Sequence, residues 1–181
     1  MGVDGSTLAG WLAKYDPASI TIGVVASHSS LQILHGARME GFRTLGIAVG
    51  EERRRFYSAF PGADPDEWLM LDHYHELMDH AEWMRERNVI LIPHGSLVEY
   101  LGSDNFRKLQ TPTFGNRGIL HWESSRELQR QWLEQGGCNM PRVVQDPKDI
   151  DGPVIVKYAG AKGGRGYFIA RDYRDFRRNV D

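Results

Sequence analysis

The chain has 181 residues, 41% apolar and 25% charged, the proportions of a folded globular protein long enough for one core or for one domain and part of a second. A net charge of −2 gives no electrostatic case for nucleic-acid binding. The single cysteine, Cys138, excludes an internal disulfide framework and a multi-cysteine zinc site, which fits a reducing cytoplasm.

The opening MGVDGSTLAGWLAKYD has neither a leading basic patch nor a long apolar run, so neither a signal peptide nor a membrane span is expected. Ser6 is placed to cap a first helix, with Leu8, Trp11, Leu12 and Tyr15 at helical spacing and a stop at Asp16-Pro17. Residues 20–26 (ITIGVVA) form a continuous apolar run, the signature of a strand buried on both faces. The polar loop Ser27-His28-Ser29-Ser30 leads into a helix ending near Gly41, and 43–49 (RTLGIAV) is a second buried strand. Residues 50–65 are charged and turn-rich, a surface excursion in which Arg53, Arg54 and Arg55 read as a solvated charge run beside Glu51 and Glu52. A third strand is expected at 68–71, and a helix at 74–87 with Leu77, Ala81 and Met84 on one face. A fourth strand at 89–92 is followed by the loop Pro93-His94-Gly95-Ser96 and the start of another helix. Strands alternating with helices predict an open, mostly parallel sheet covered on both faces.

The character changes at 111–117 (TPTFGNR), which is rich in turn formers and lacks periodicity. Residues 124–135 (SSRELQRQWLEQ) read as a helix stopped by Gly136-Gly137. The stretch 154–170 (VIVKYAGAKGGRGYFIA) is two apolar strand-formers around a glycine-rich turn carrying Lys162 and Arg165, with Lys157 on the first strand. Glycines let backbone amides approach an anion, and the two cations add charge there. No Lys-Ser or Lys-Thr follows the glycines, and the turn returns into a strand, which excludes a Walker A loop and a dinucleotide fingerprint. The chain closes on the start of a helix at 171–180.

In an open α/β sheet, ligands lie outside the carboxyl ends of the strands. The loops 27–30 and 93–96 both belong at that edge and put imidazole and hydroxyl groups at helix starts, where free amides favour an anion. Each loop taken alone is a helix cap; two on one edge make a binding crevice an equal alternative. His75 and His80 are five residues apart, so His75-Glu76 is not part of an HExxH metal motif, and His73, His75 and His80 read as surface residues.

SHSSLQILHGARMEGF, IPHGS, FGNRGILHWES and DGPVIVKYAGAKGGRGYFIA, in that order, resemble the archaeal formate-dependent FAICAR synthetases, the PurP family of purine biosynthesis. The glycine-rich hairpin by itself resembles the nucleotide clamp of the ATP-grasp fold. The resemblance implies a Rossmann-like, parallel-sheet pre-ATP-grasp domain over 1–122, followed by the first lobe of an ATP-grasp domain over 123–181. It implies a cytoplasmic ligase that joins formate to the 5-amino group of AICAR (5-aminoimidazole-4-carboxamide ribonucleotide), turning ATP into ADP and phosphate through formyl phosphate. His28 and Ser96 match the positions that contact AICAR in that family. Lys157 matches the strand lysine that reaches the ATP phosphates, and Gly160, Lys162, Gly163, Gly164, Arg165 and Gly166 match the flap above them. Arg126 matches an earlier basic contact to ATP, while Arg117 and Glu123 lie in a family motif without an assigned role. No catalytic residue is assigned, and a homo-oligomer stays open. A second lobe, with acidic ligands for Mg²⁺ or Mn²⁺, is missing from these residues. The chain is therefore expected to be the front part of such an enzyme, with little or no ligase activity alone. A paralogous ATP-grasp ligase acting on another carboxylate, and a non-catalytic nucleotide-binding module, are the competing readings.

Overall fold

The computed structural model of the protein describes residues 2–123, 125–157 and 167–180 and, of Leu120 and Glu123, the backbone only. Its backbone divides into two compact units, Met1–Trp132 and Leu133–Asp181.

The first unit opens with α1 (Gly5–Leu12), capped by Asp4 and not by Ser6. Asp4 Oδ1 accepts from the Thr7 amide at 2.7 Å and from Ser6 Oγ at 2.7 Å; the carboxylate brings charge as well as a hydrogen bond to the positive helix end. The helix stops short of Tyr15, whose hydroxyl donates to the Val89 carbonyl at 2.9 Å; burial pushes that phenol up to about 12.

There follow β1 (Thr21–Val25), α2 (Ser30–Met39), β2 (Arg43–Val49), α3 (Glu51–Ser58), β3 (Glu67–Leu71), α4 (Ala81–Glu86), β4 (Val89–Leu91), α5 (Gly95–Leu101), α6 (Ser103–Lys108), α7 (Arg117–Glu123) and α8 (Arg126–Gln135). The four strands make one parallel sheet in the order β3-β2-β1-β4, the α/β architecture expected from the alternating pattern. Val25, Leu45, Ile47, Leu69 and Leu71 pack on one face with Leu77, Met84, Leu97, Leu101 and Phe106, while Val24 on the other face meets Leu34 of α2 and Ala63. Burial on both faces is why these strands read as unbroken apolar runs.

Three local readings are corrected. The stretch after β2 holds a helix, α3, because Glu51 pairs with Arg54 (2.8 Å from Nε) and Arg55 (3.4 Å) one turn on, acid before base as the helix dipole favours. The expected helix at 74–87 is broken into a 3-10 turn (Tyr74–Met78) and α4, with Asp79 N–H closing onto the Glu76 carbonyl, although Leu77, Ala81 and Met84 are all buried as its stripe requires. The aperiodic 111–117 stretch is partly sheet-like. The Leu91 N–H donates to the Pro112 carbonyl at 2.9 Å and the Leu91 carbonyl accepts from the Phe114 N–H at 2.8 Å, so the segment runs along the otherwise open edge of β4.

Arg117 holds that segment. Its Nε donates to Thr113 Oγ1 at 3.1 Å, its two Nη atoms donate to the carbonyls of Leu109 and Thr111, and the guanidinium lies 5.7 Å from the Phe106 ring centre. Burial pulls its pKa below the usual arginine value, and backbone oxygens stand in for a counter-ion.

In the second unit, α8 ends as Gly136-Gly137 predicts. Gly137 takes φ +77, Cys138 N–H reaches the Leu133 carbonyl and Gly137 N–H the Glu134 carbonyl, both at 3.0 Å. Antiparallel β5 (Val154–Lys157) and β6 (Tyr167–Ala170) pair Ile155 with Ile169 and Lys157 with Tyr167, and α9 (Tyr173–Asn179), capped by Asp172, packs on β6. Among the described residues no helix is long and apolar enough to cross a membrane.

Two glycines of opposite kind test the packing. A Cβ on Gly46 in β2 would stand 2.7 Å from Pro65 Cγ and from the Trp68 ring, both rigid groups, whereas one on Gly36 within α2 meets nothing within 4 Å. Gly46→Ala is expected to lower stability by about 1–3 kcal/mol, and Gly36→Ala to raise it by about 0.5–1 kcal/mol. Urea midpoints moving in opposite directions are the expected result; an unchanged midpoint for Gly46→Ala would show that the close approach is not a constraint.

Candidate functional site at the sheet reversal

The strand order sets the place. The chain winds outward from β1 to β2 to β3, then returns to lay β4 on the other side of β1, so the connections leaving β1 and β4 diverge and open a crevice at the carboxyl edge. The two loops singled out in the sequence, 27–30 and 93–96, are those connections, and they are neighbours because β1 pairs with β4 from Thr21↔Val89 to Gly23↔Leu91. His28 is exposed at the rim, and Ser96 is nearly buried in the first turn of α5.

Helix capping, the competing explanation for these loops, is not what their side chains do. Neither Ser29 at the start of α2 nor His94 at the start of α5 makes a side-chain capping bond. Instead Ser30 Oγ donates to the Ser27 carbonyl at 2.6 Å and accepts the Ser27 amide at 3.1 Å, folding the loop back on itself. Ser27 Oγ is buried with no hydrogen-bond partner among the described residues.

His94 spans the crevice. Its Nε2 lies 3.0 Å from the Val25 carbonyl. A carbonyl only accepts, so Nε2 carries the hydrogen and the buried Nδ1, which has no partner among the described residues, presents a lone pair. Burial lowers the pKa of His94; the Val25 bond works the other way, and neighbouring His28 adds to the lowering. The edge therefore offers a neutral imidazole acceptor beside serine hydroxyls.

Arg53 is the residue that the sequence reading places wrongly. It is half-buried, and its Nη1 donates to the Ala26 carbonyl at 2.9 Å and to Tyr100 Oη at 3.3 Å. The guanidinium carbon lies 5.3 Å from the Tyr100 ring centre and 5.9 Å from that of Tyr74, and the two rings stack at 4.5 Å. Burial disfavours the charge, but the Tyr100 bond and the surrounding phenols hold its pKa above the usual arginine value. Helical spacing carries the only signal for this: Glu51 engages positions three and four on, which leaves Arg53 on another side of α3.

The other expected nucleotide contacts are divided between the two units. Arg126 is exposed at the start of α8 in the first unit, and Lys157 is exposed on β5 in the second. Gly160, Lys162, Gly163, Gly164, Arg165 and Gly166 lie outside the described residues. Among the described residues no group of three or more His, Cys, Asp or Glu side chains is placed to hold a metal ion.

A lowered histidine pKa fixes the sign of a pH effect. Between the folded value of His94 and its ordinary value of about 6.5 the unfolded chain binds more protons, so stability rises with pH across that interval. The His94 contribution is complete above about pH 6.5 and is lost as pH falls below it. Chemical denaturation at pH 7.5 and pH 5.5 is expected to show a smaller loss on acidification for His94→Gln than for the parent chain; equal losses would remove His94 from the pH dependence.

The chain is similar to known proteins. Residues 22–144 match the family model described as "Protein of unknown function (DUF1246)". The 5-formaminoimidazole-4-carboxamide-1-(beta)-D-ribofuranosyl 5'-monophosphate synthetases of Methanosarcina acetivorans and Methanosarcina barkeri are 56% and 55% identical over 171 residues; each match takes in 94% of this chain and 48% of the relative. The chain thus spans about half the length of the curated relatives it matches. Among solved structures, the N5-carboxyaminoimidazole synthetase of Staphylococcus aureus superposes with a TM-score of 0.65 at 15% identity, over 88% of this chain and 42% of that one. A crystal structure of the same enzyme complexed with ADP superposes at 0.63, with 12% identity over 91% and 44%. At such identity the likeness is one of α/β fold. The family match takes in both crevice loops and all of the four-stranded sheet but Thr21, and on it the chain belongs to the DUF1246 family.

Proposed function

We propose that this chain carries the substrate-binding domain and the nucleotide-clamping hairpin of an ATP-dependent ligase that converts AICAR and formate into FAICAR with release of ADP and phosphate. The observation that carries the reading is the crevice between β1 and β4. Both of its loops present side chains left over from capping, and Ser27 Oγ and His94 Nδ1 are buried there without partners among the described residues. Buried polar atoms without partners are costly, and a ligand with matching groups removes that cost. A phosphorylated ribonucleoside with an amine and a carboxamide has such groups. The name shared by the Methanosarcina relatives supports this choice.

In this reading His28 and Ser96 contact AICAR, and His94 accepts a hydrogen bond from one of its N–H groups. The hairpin supports the ATP half. Lys157 shares an exposed face with Ile155, Tyr167 and Ile169, a cation beside an apolar platform on which a nucleotide rests its phosphates and its base. A formate oxygen attacks the γ-phosphorus as its bond to ADP breaks. The amine nitrogen of AICAR then attacks the formyl carbon, phosphate departs, and the amine gives up one proton. The strand lysine offsets charge on the phosphates during the first step. Magnesium or manganese ligands are not assigned to the described residues, which offer no cluster for them, and no step here is routed through a metal.

Calorimetric titration of the 181-residue chain with AICAR tests the substrate. Saturable binding is expected, weakened about tenfold or more in His28→Ala through loss of a hydrogen bond at the rim. A folded chain that gives no heat with AICAR, or a His28→Ala variant that binds as well as the parent, would count against this site.

A further inference from the structure

Arg53 reaches the carboxyl end of β1, beside the crevice loops. It projects from α3, the helix after β2, yet its Nη1 joins the Ala26 carbonyl at the end of β1 to the hydroxyl of Tyr100 on α5. Those two partners flank the site from both sides: Ala26 immediately precedes Ser27-His28, and Tyr100 is one helical turn from Ser96, on the same side of α5. The guanidinium packs beside the stacked pair Tyr74 and Tyr100 and is bonded at Nη1 to the Tyr100 hydroxyl and the Ala26 carbonyl, so its orientation is set before any ligand arrives. Among the described residues only Nη1 is engaged. Nε and Nη2 donate to nothing among the described residues, and no carboxylate there pairs with the charge, whereas Arg54 and Arg55 on the same helix both pair with Glu51. A half-buried cation that is held in place and lacks a counter-ion is a built anion receptor, and a guanidinium edge with two free donors suits the oxygens of a phosphate monoester.

We propose that Arg53 binds the phosphate of a phosphorylated ribonucleoside in the crevice, through its Nε and Nη2 edge, and thereby selects nucleotide over nucleoside. The proposal takes the identity of the nucleoside from the function proposed above; the phosphate contact itself stands on the geometry of Arg53.

Three probes separate the two: AICAR, the corresponding nucleoside without phosphate, and ribose 5-phosphate. Each is titrated into the parent chain and into Arg53→Met, which keeps the aliphatic stem against the tyrosines, with urea midpoints confirming that both are folded. Arg53→Met is expected to weaken AICAR and ribose 5-phosphate by about 10- to 100-fold, the worth of a charge-assisted pair of hydrogen bonds, and to leave the nucleoside within about twofold. Parallel losses for nucleotide and nucleoside would show that Arg53 acts only by holding the Ala26 loop, and would overturn the proposal. So would a parent chain that binds neither phosphorylated probe. A parent chain that binds ribose 5-phosphate through Arg53 but AICAR no more tightly would support the phosphate contact while rejecting AICAR as the ligand.

Discussion

The pairing of β1 with β4 is the interaction on which the rest of the first unit depends. It joins residues nearly seventy positions apart into neighbours, and it turns a one-directional winding into a sheet that has a crevice. The sequence is adapted to this seam. A Cβ at Gly23 would stand 2.7 Å from Val89 Cγ1 and 2.8 Å from Leu91 Cδ2, so the strand lacks a side chain where β4 presses closest. Asn88, at φ +52, turns the chain into β4, and its side-chain amide donates to Ser19 Oγ at 2.7 Å just before β1. Tyr15 adds a hydrogen bond to the Val89 carbonyl, and Arg117 holds the segment that closes the far edge of β4. The seam is anchored at one end by polar contacts and shut along its side, which leaves the carboxyl end as the open boundary where loops are free to carry function.

The electrostatics at that boundary have a consistent sense. The groups there are hydroxyls, a neutral imidazole and a guanidinium, and none of the hydrogen bonds that shape the crevice ends on a carboxylate. At the amino edge of the sheet, Asp66 is engaged by Thr44, whose amide and hydroxyl each donate to it at 2.8 Å, and by Arg38, which places that negative charge at the end away from the crevice. In a chain of net charge −2 the bonds at the two crevice loops thus use no carboxylate, the acids at the start of α3 being paired with Arg54 and Arg55, and selectivity for an anion arises from local placement and not from the overall balance.

How much of this was legible in the residues depends on which physical rule wrote each part. Buried parallel strands announce themselves, because both faces need apolar side chains; the limits of β2 fall where the run RTLGIAV begins and ends. The crevice loops were legible because a polar tetrad directly after such a run has to leave the sheet at its carboxyl edge. The turn at Tyr74–Met78 was not, since Leu77, Ala81 and Met84 satisfy the same burial whether the backbone between them is continuous or broken. Thr113 joins β4 through main-chain atoms only, and main-chain pairing leaves no trace in a stretch of turn formers. Arg53 was hidden by company: in RRR the three side chains look alike, and only the position of Glu51 relative to each separates two solvent ion pairs from one inward cation.

The division into two units bears on how such a ligase distributes its work. In the proposed reaction the binding energy of AICAR is collected in the first unit, far along the chain from the lysine-bearing hairpin of the second. Interactions made equally with substrate and transition state hold the substrate but do not speed its chemistry. A phosphate gripped at Arg53 is remote from the amine that reacts, so its contribution is of that holding kind, unless it fixes the orientation of the amine as well. His94 is the residue at which the two roles meet. Its Nδ1 lone pair is pinned in direction by the Nε2–H bond to Val25 and kept free of a proton by burial. An acceptor so prepared positions an N–H group in the ground state and is also matched to the proton that an attacking amine must shed. In the proposed reading Arg53 anchors the phosphate and His94 faces the amine, two different tasks given to the two ends of one substrate.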